Sequence, residues 1–354
     1  MSTSAPPRYL PLRAAAPASP DHRLSFVRRL PPGAVHKASA AEVFLTDALQ
    51  MGDDRFEVAA VWHRDRFLHH DGNGRPSDPL LLVETVRQTL IHLSHRFYGI
   101  PQGHPFVLID LEFDLDSGRR PQDSGPGPRR RGPLPVVLDV TCTRTGATPR
   151  RFGMALDAVA TVDGNRFGRV RMRWEMLHPG LYALVRNRSV QPVAPRPEGA
   201  LPHRLRRLDP HEVGYAHDDH VLLARGRDGA CGEFWLDMKP GHPVLFDHPS
   251  DHVSGMALLE AFRQAVLAVG APLRATVTHL SATFTTFGQL DAPVGITVQP
   301  GSNGASGSNG ADRPNRPLAP RTAQVTAVQG DATLVSAQVG YHLPQDLTHG
   351  EVAS

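Results

Sequence analysis

A motif repeated on two apolar segments is the sequence feature that most restricts the fold. The segments PLLLVETVRQTLIHL (79–93) and GMALLEAFRQAVLAV (255–269) both contain Glu-x-x-Arg-Gln. The motif residues are Glu84, Arg87 and Gln88 in the first copy, and Glu260, Arg263 and Gln264 in the second. All three pairs share one offset (260 − 84 = 176), and the strand-like segments FEVAAVW (56–62) and GEFWLDM (232–238) repeat at the same offset. The chain is therefore an internal duplication.

Each copy predicts one helix wrapped by an antiparallel sheet. The two helical segments carry apolar residues on nearly all sides, so each must be enclosed rather than laid on a surface. Segments of strand-like alternation follow each helix. They lie at 105–115, 135–145, 151–161 and 166–177 in the first copy, and at 273–287, 293–299, 321–329 and 332–342 in the second. A helix cradled in a curved antiparallel sheet, present twice in tandem, describes a double hot-dog fold of the α+β class.

Composition and repeat positions indicate how the chain is divided into domains. We predict a disordered tail over 1–30, a first hot-dog domain over 31–195 and a second over 196–346. The low-complexity stretches 117–133 and 300–320 predict a long flexible loop in each domain.

A net charge of +3, from 38 basic and 35 acidic residues, is too small to indicate a nucleic-acid partner. No apolar run of about 18 residues predicts a membrane helix, and the two cysteines cannot form a disulfide scaffold. We expect a cytoplasmic protein that binds neither nucleic acid nor membrane.

The charged residues of the repeated motif have two interpretations. Glu and Arg three positions apart lie on one helix face, and an unpaired ion in a core costs several kcal/mol. In the structural interpretation, the two side chains satisfy each other and lock the halves together. In the functional one, Glu is a general base whose pKa is tuned by burial, and Arg holds an anionic substrate group. The sequence leaves both open.

The loop before the second helix, HPVLFDHPSDHVSGM (242–256), adds further candidates. Gly255 lies at the helix start, where unpaired backbone N–H groups can polarise a carbonyl oxygen. His248 and His252, with their neighbouring aspartates, have the chemistry of metal ligands, but no further Cys or His spacing supports a metal. We expect a hydrogen-bonded loop beside an acyl site, with no metal and no other cofactor.

The two copies differ at one informative pair of positions. His36 and Lys37 in the first copy correspond to Gly214 and Tyr215 in the second. The pair either binds substrate or caps the first strand. Because hot-dog sites lie between two units, we expect one composite site, and which glutamate is catalytic stays open.

Taken together, these motifs resemble the A-factor biosynthesis (AfsA-type) family over about residues 25–345. The matching blocks are Val35-His36-Lys37, Glu84-Thr85-Val86-Arg87-Gln88, Phe246-Asp247-His248-Pro249 and Leu258-Leu259-Glu260 through Arg263-Gln264. The resemblance implies a double hot-dog acyltransferase of γ-butyrolactone signalling. Such enzymes transfer a β-ketoacyl group from acyl-carrier protein to a hydroxyl of dihydroxyacetone phosphate. The ester then closes to a butenolide by an intramolecular aldol condensation.

That reaction assigns roles to the candidate residues. A base near the attacking hydroxyl, donors to the thioester carbonyl and a cation for the phosphate are required. The catalytic candidates are Glu84, Glu260 and His248. The substrate-binding candidates are His36, Lys37, Arg87, Gln88, His252, Gly255, Arg263 and Gln264. No covalent acyl-enzyme is expected, because neither cysteine has a recognisable nucleophile context.

Two other functions stay open at this point. His70, fourteen residues before Glu84, resembles the loop histidine of hot-dog dehydratases that act on acyl-carrier protein, so a dehydratase or thioesterase is one alternative. Arg87 and Arg263 argue against it, because the dehydratase motif has alanine there. The other alternative is a non-catalytic acyl- or lactone-binding regulatory protein. A homodimer is possible in each case.

Overall fold

The computed structural model describes residues 23–69, 78–116, 132–189, 205–226, 229–237, 239, 241–247, 250–270, 275–301 and 321–342. It consists of two compact units. The first comprises residues 1–189 and 241–249, and the second 190–240 and 250–354. Almost all of both predicted loops, and residues 1–22 of the predicted tail, lie outside the described residues.

The first unit wraps one long helix in a six-stranded antiparallel sheet. The helix is α1 (Pro79–Arg96), and the strand order is β1-β2-β4-β5-β6-β3. The strands are β1 (Leu45–Gly52), β2 (Arg55–Trp62), β3 (Phe106–Leu115), β4 (Leu134–Thr148), β5 (Arg151–Val162) and β6 (Asn165–Leu177). A second helix, α2 (Pro179–Ser189), follows β6.

The second unit repeats this plan with shorter strands at one edge. Its helix is α3 (Gly255–Gly270), and its antiparallel strand order is β10-β13-β12-β11-β9-β8-β7. The strands are β7 (Leu205–Arg207), β8 (Leu223–Gly226), β9 (Glu233–Leu236), β10 (Thr276–Phe284), β11 (Gly295–Pro300), β12 (Arg321–Gln329) and β13 (Ala332–His342). This confirms the predicted plan of one apolar helix on one curved antiparallel sheet in each half.

Local sequence explains where α1 begins. The carboxylate of Asp78, the N-cap residue, accepts the backbone N–H of Leu80 at 2.9 Å and that of Phe67 at 2.6 Å. Pro79 suits the first helical position, because its missing N–H would have no partner there. The helix is buried on nearly every side, as its composition predicts. Burial on all sides forces its polar residues to find partners within the protein.

Some elements differ from the predictions. α2 and β7 were not predicted. The first strands of the two copies, which the sequence predicts at 43–47 and 220–224, begin at Leu45 and Leu223. Each of these strands is preceded by a short 3-10 turn, at Ala40–Glu42 and Asp218–His220. In the predicted tail, the N–H of Leu30 donates to the carbonyl of Leu45 at 2.8 Å. No helix of the described residues is long and apolar enough to cross a membrane.

Candidate functional site

The repeated Glu and Arg of the first unit form a bidentate ion pair within α1. Arg87 donates from Nε to Glu84 Oε2 at 2.7 Å and from Nη2 to Glu84 Oε1 at 2.9 Å. The Glu84 side chain is 1% exposed, whereas that of Arg87 is 22% exposed. The carboxylate is therefore enclosed, while part of the Arg87 side chain is exposed.

Gln88 holds this pair against the start of the sheet. Its amide nitrogen donates to Glu84 Oε1 at 2.9 Å and to the backbone carbonyl of Glu42 at 2.8 Å. Its amide oxygen accepts the N–H of Phe44 at 2.9 Å. Both amide hydrogens of this substrate-binding candidate thus have partners inside the protein.

Lys37 adds a second buried cation to the same carboxylate. Its Nζ lies 3.2 Å from Glu84 Oε1 and 3.6 Å from Asp247 Oδ1, and its side chain is 4% exposed. Asp247 Oδ2 in turn accepts the backbone N–H of Ala38 at 3.2 Å. The first unit therefore contains a cluster of two cations and two carboxylates, hereafter the Lys37 cluster: Lys37, Glu84, Arg87 and Asp247.

The charges of the Lys37 cluster fix the ionisation of Glu84. Burial alone raises the pKa of Glu84, but the charges of Arg87 and Lys37 outweigh it and hold the pKa far below its ordinary value. Burial lowers the pKa of Arg87, and Glu84 and Asp247 reverse that effect and raise it. A general base works best with a pKa near the working pH. The arrangement favours Glu84 as the partner of two cations over Glu84 as a proton acceptor.

The second unit forms the same ion pair in a more closed setting. Arg263 donates from Nε to Glu260 Oε2 at 2.9 Å and from Nη2 to Glu260 Oε1 at 2.7 Å. The Oη of Tyr215 donates to Glu260 Oε1 at 2.6 Å, and the guanidinium of Arg263 stacks 5.1 Å from the Tyr215 ring centre. The exposed fractions of the Glu260 and Arg263 side chains are 0% and 9%.

Gln264 repeats the role of Gln88. It donates to Glu260 Oε1 and to the carbonyl of His220, each at 2.8 Å, and accepts the N–H of Leu222 at 2.8 Å. Both amide hydrogens are again used inside the protein. We call this group the Tyr215 cluster: Tyr215, Glu260, Arg263 and Gln264. Each Glu–Arg pair therefore closes within a single helix.

The family of the chain follows from these paired features and from sequence comparison. The A-factor biosynthesis hotdog domain matches residues 18–178 and 199–341. The chain belongs to the A-factor biosynthesis hotdog family. Both the predicted family and the predicted double hot-dog fold are confirmed.

Relatives of this family cover most of the chain. A protein from Streptomyces virginiae named 2-oxo-3-(phosphooxy)propyl 3-oxoalkanoate synthase is 32% identical over 86% of this chain and 95% of its own length. A protein of the same name from Streptomyces griseus is 31% identical over 76% of this chain and 85% of its own length. Among solved structures, an acyl-ACP thioesterase from Bacteroides thetaiotaomicron has 13% identity and a TM-score of 0.41, covering 81% of this chain and 98% of that one.

Gly255, His252 and His248 are further candidates that the sequence indicates. Gly255 begins α3, and a Cβ there would come within 3.2 Å of the Phe284 ring, so the position requires a small residue. His252 Nδ1 lies 2.7 Å from Asp251 Oδ1, and its ring packs against Phe287. His248 lies outside the described residues. The catalytic and binding roles of these residues stay predictions.

His36 forms a pair that the sequence did not indicate. Its Nε2 lies 2.8 Å from Nε2 of His95, whose Nδ1 lies 2.7 Å from the carbonyl oxygen of Ile100. A carbonyl only accepts, so His95 donates from Nδ1. A neutral His95 then accepts at Nε2, and His36 is the donor. His95 was missed because its partner comes from a turn 59 residues earlier, and because α1 extends beyond the predicted segment 79–93.

Neither cluster has the chemistry of a metal site. Every carboxylate in them has a cation or a hydrogen-bond donor against it, so neither cluster offers an open set of oxygen ligands for a divalent cation. The side chain of Arg87 is more exposed than that of Arg263. Among the described residues, an aromatic ring stacks on Arg263 but none stacks on Arg87. Of the two arginines, Arg87 is the better placed to receive an anionic group.

Proposed function

We propose that the chain is an acyltransferase that makes a 2-oxo-3-(phosphooxy)propyl 3-oxoalkanoate. The donor is a β-ketoacyl thioester on acyl-carrier protein, and the acceptor is a hydroxyl of dihydroxyacetone phosphate. Support comes from four relatives that carry the corresponding synthase name at 28–32% identity. The ester formed by this reaction is the compound in the synthase name, because its 2-oxo-3-(phosphooxy)propyl group is the esterified dihydroxyacetone phosphate.

The observation that carries the proposal is the partly exposed side chain of Arg87, which shares the carboxylate of Glu84 with Lys37. Nε and Nη2 of Arg87 are held by Glu84, and in the described part of the chain Nη1 donates to no residue. A phosphate oxygen is a strong acceptor for such a group, and the pre-set orientation limits the entropy lost on binding. We place the phosphate of the acceptor at Arg87, with Lys37 adding its charge.

The proposed reaction balances without a covalent enzyme intermediate. The acceptor hydroxyl oxygen forms a bond to the thioester carbonyl carbon, and the carbon–sulfur bond breaks. The hydroxyl proton ends on the released carrier-protein thiol. Glu84 keeps two cations in place through both steps, since its low pKa keeps it ionised. The Tyr215 cluster is the structural counterpart in this proposal and binds no substrate.

The test is to incubate the purified protein with a β-ketoacyl-carrier protein and dihydroxyacetone phosphate, and to detect the phosphorylated ester by mass spectrometry. Replacing dihydroxyacetone phosphate by dihydroxyacetone, which lacks the phosphate, should reduce product formation at least tenfold, the scale of a charge-assisted hydrogen bond. Release of free acid without any acceptor would instead indicate a thioesterase, and conversion of a separately supplied β-hydroxyacyl-carrier protein to an enoyl product would indicate a dehydratase. Tight binding of a lactone without turnover would indicate the regulatory alternative.

A cytoplasmic location and a homodimeric state belong to the same proposal. The first is tested by fractionation of cells that express the tagged protein. The second is tested by sedimentation of the purified chain at several concentrations.

A further inference from the structure

Asp247 belongs to the first unit although it lies late in the chain. The segment 241–249 follows β9 in sequence, within the range predicted for the second domain, yet it packs with the first unit. His242 shapes its described part: its Nδ1 accepts the N–H groups of Val244 and Leu245 at 3.2 and 3.3 Å, and its carbonyl accepts the N–H of Phe246 at 2.9 Å. This turn delivers Asp247 to the Lys37 cluster.

Both oxygens of Asp247 contact the turn that carries Lys37. Oδ2 accepts the N–H of Ala38, 209 residues earlier in the chain, at 3.2 Å. Oδ1 lies 3.6 Å from Lys37 Nζ, and the Asp247 side chain is 2% exposed. A carboxylate this deeply buried is stable only when it is paired and hydrogen-bonded. Asp247 therefore fixes both the backbone and the side chain of one short turn.

The position of Lys37 depends on this second carboxylate. Glu84 Oε1 already accepts from Arg87 Nη2 and Gln88 Nε2, so it holds Lys37 in competition with two other donors. A lysine side chain has about 2 kcal/mol of rotamer entropy to lose, and one shared contact fixes it poorly. A carboxylate on the other side of Nζ supplies the second fixed point.

We propose that Asp247 is a positioning residue that holds Lys37 beside Arg87 for the phosphate of the acceptor. The inference rests on the proposed function and adds to it one residue and the means by which it acts. Asp247 does not touch the phosphate, since its negative charge would repel it. It acts through Lys37, and it makes acceptor binding depend on the segment 241–247.

The experiment compares the kinetics of Asp247→Asn with those of the wild-type chain. An asparagine oxygen still accepts the N–H of Ala38, so the substitution removes the charge while keeping the turn. We expect the KM for dihydroxyacetone phosphate to rise about tenfold, the scale of a hydrogen bond to a charged group. The KM for the acyl-carrier protein should stay within twofold. Asp237→Asn is the matched control, because Asp237 pairs with Arg207 at the surface of the second unit and should change neither constant.

A second comparison tests whether Asp247 acts through Lys37. The double variant Lys37→Met/Asp247→Asn should bind the acceptor no more weakly than Lys37→Met alone, because the group that Asp247 positions is already gone. A further tenfold loss in the double variant would overturn the inference, as would an unchanged acceptor KM in a folded Asp247→Asn protein with a lower melting temperature.

If Asp247→Asn fails to fold, Asp247→Glu serves in its place. It keeps the charge but displaces Nζ by its extra methylene, and an acceptor KM equal to that of the wild type would contradict the inference. Absence of acceptor-dependent product with the wild-type chain would instead remove the proposed function, so the two failures are distinguishable.

Discussion

Lys37 and Tyr215 occupy equivalent positions in the two repeats, and each contacts the repeated glutamate of its own unit. Lys37 Nζ lies 3.2 Å from Glu84 Oε1, whereas Tyr215 Oη donates to Glu260 Oε1 at 2.6 Å. The contact with the glutamate is thus present in both repeats, but the residue that makes it is charged in the first repeat and neutral in the second. A cation beside Glu84 adds positive charge for a ligand, while a neutral hydroxyl only completes the hydrogen bonding of Glu260.

Substitutions at these two positions should separate catalysis from stability. Lys37→Met removes a charged group from the Lys37 cluster, and we expect the acceptor KM to rise roughly 10- to 100-fold, the range for a hydrogen bond to a charged group. Tyr215→Phe removes a donor from a buried carboxylate. We expect it to lower the free energy of unfolding by about 1–3 kcal/mol and to leave both KM values within twofold.

Steady-state kinetics and urea unfolding of the two variants check this division. A Tyr215→Phe enzyme with a weakened acceptor KM and unchanged stability would show that the second unit binds substrate.

The ion pair of the Tyr215 cluster should behave as a buried structural pair. Arg263→Met leaves the Glu260 side chain without its cation in a site with no exposure, and we expect the free energy of unfolding to fall by about 3–5 kcal/mol. Adding Glu260→Gln removes the unpaired charge, so the double variant should recover most of that loss. Chemical denaturation of the two variants measures both effects. A double variant no more stable than Arg263→Met would contradict the pairing.

Repetition and alternation made much of the fold predictable. The segments 151–161, 321–329 and 332–342 correspond to β5, β12 and β13 within one residue, because these strands bury alternate side chains on one face. β7 was not predicted, because its three residues are too few for an alternation to be recognised.

The site was predictable only where its contacts are local. Glu84 and Arg87 pair three positions apart on one helix, a spacing that the sequence displays. The contact of Asp247 with the turn at Lys37 and Ala38 spans about 209 positions and depends on how the chain packs. Likewise, the amide hydrogens of Gln88 are used by backbone and carboxylate oxygens that only tertiary structure brings near.

The low pKa of Glu84 predicts how the free energy of unfolding changes at acidic pH. The folded-state pKa lies below the unfolded value of about 4.3, so the contribution of Glu84 to stability is fully present above that value and is lost as the pH falls toward the folded pKa. Glu84→Gln should therefore be less stable than the wild type at pH 7, and the difference should shrink below about pH 4. Urea unfolding from pH 3 to pH 7 measures the difference. A constant difference across that range would mean that Glu84 is not held ionised by its partners.

The two cysteines should differ sharply in reactivity. Burial raises the pKa of Cys142 to about 12, with Asp54 adding to the rise and a hydrogen bond from Tyr98 opposing it, whereas Cys231 is exposed. Thiolate is the reactive form, so a thiol reagent at pH 8 should modify one cysteine in the native protein and two in denaturant. Cys231→Ser should abolish the native reaction and keep kcat within twofold, as direct transfer to the acceptor hydroxyl requires. Loss of turnover in folded Cys231→Ser would point to an acyl-cysteine intermediate and contradict direct transfer.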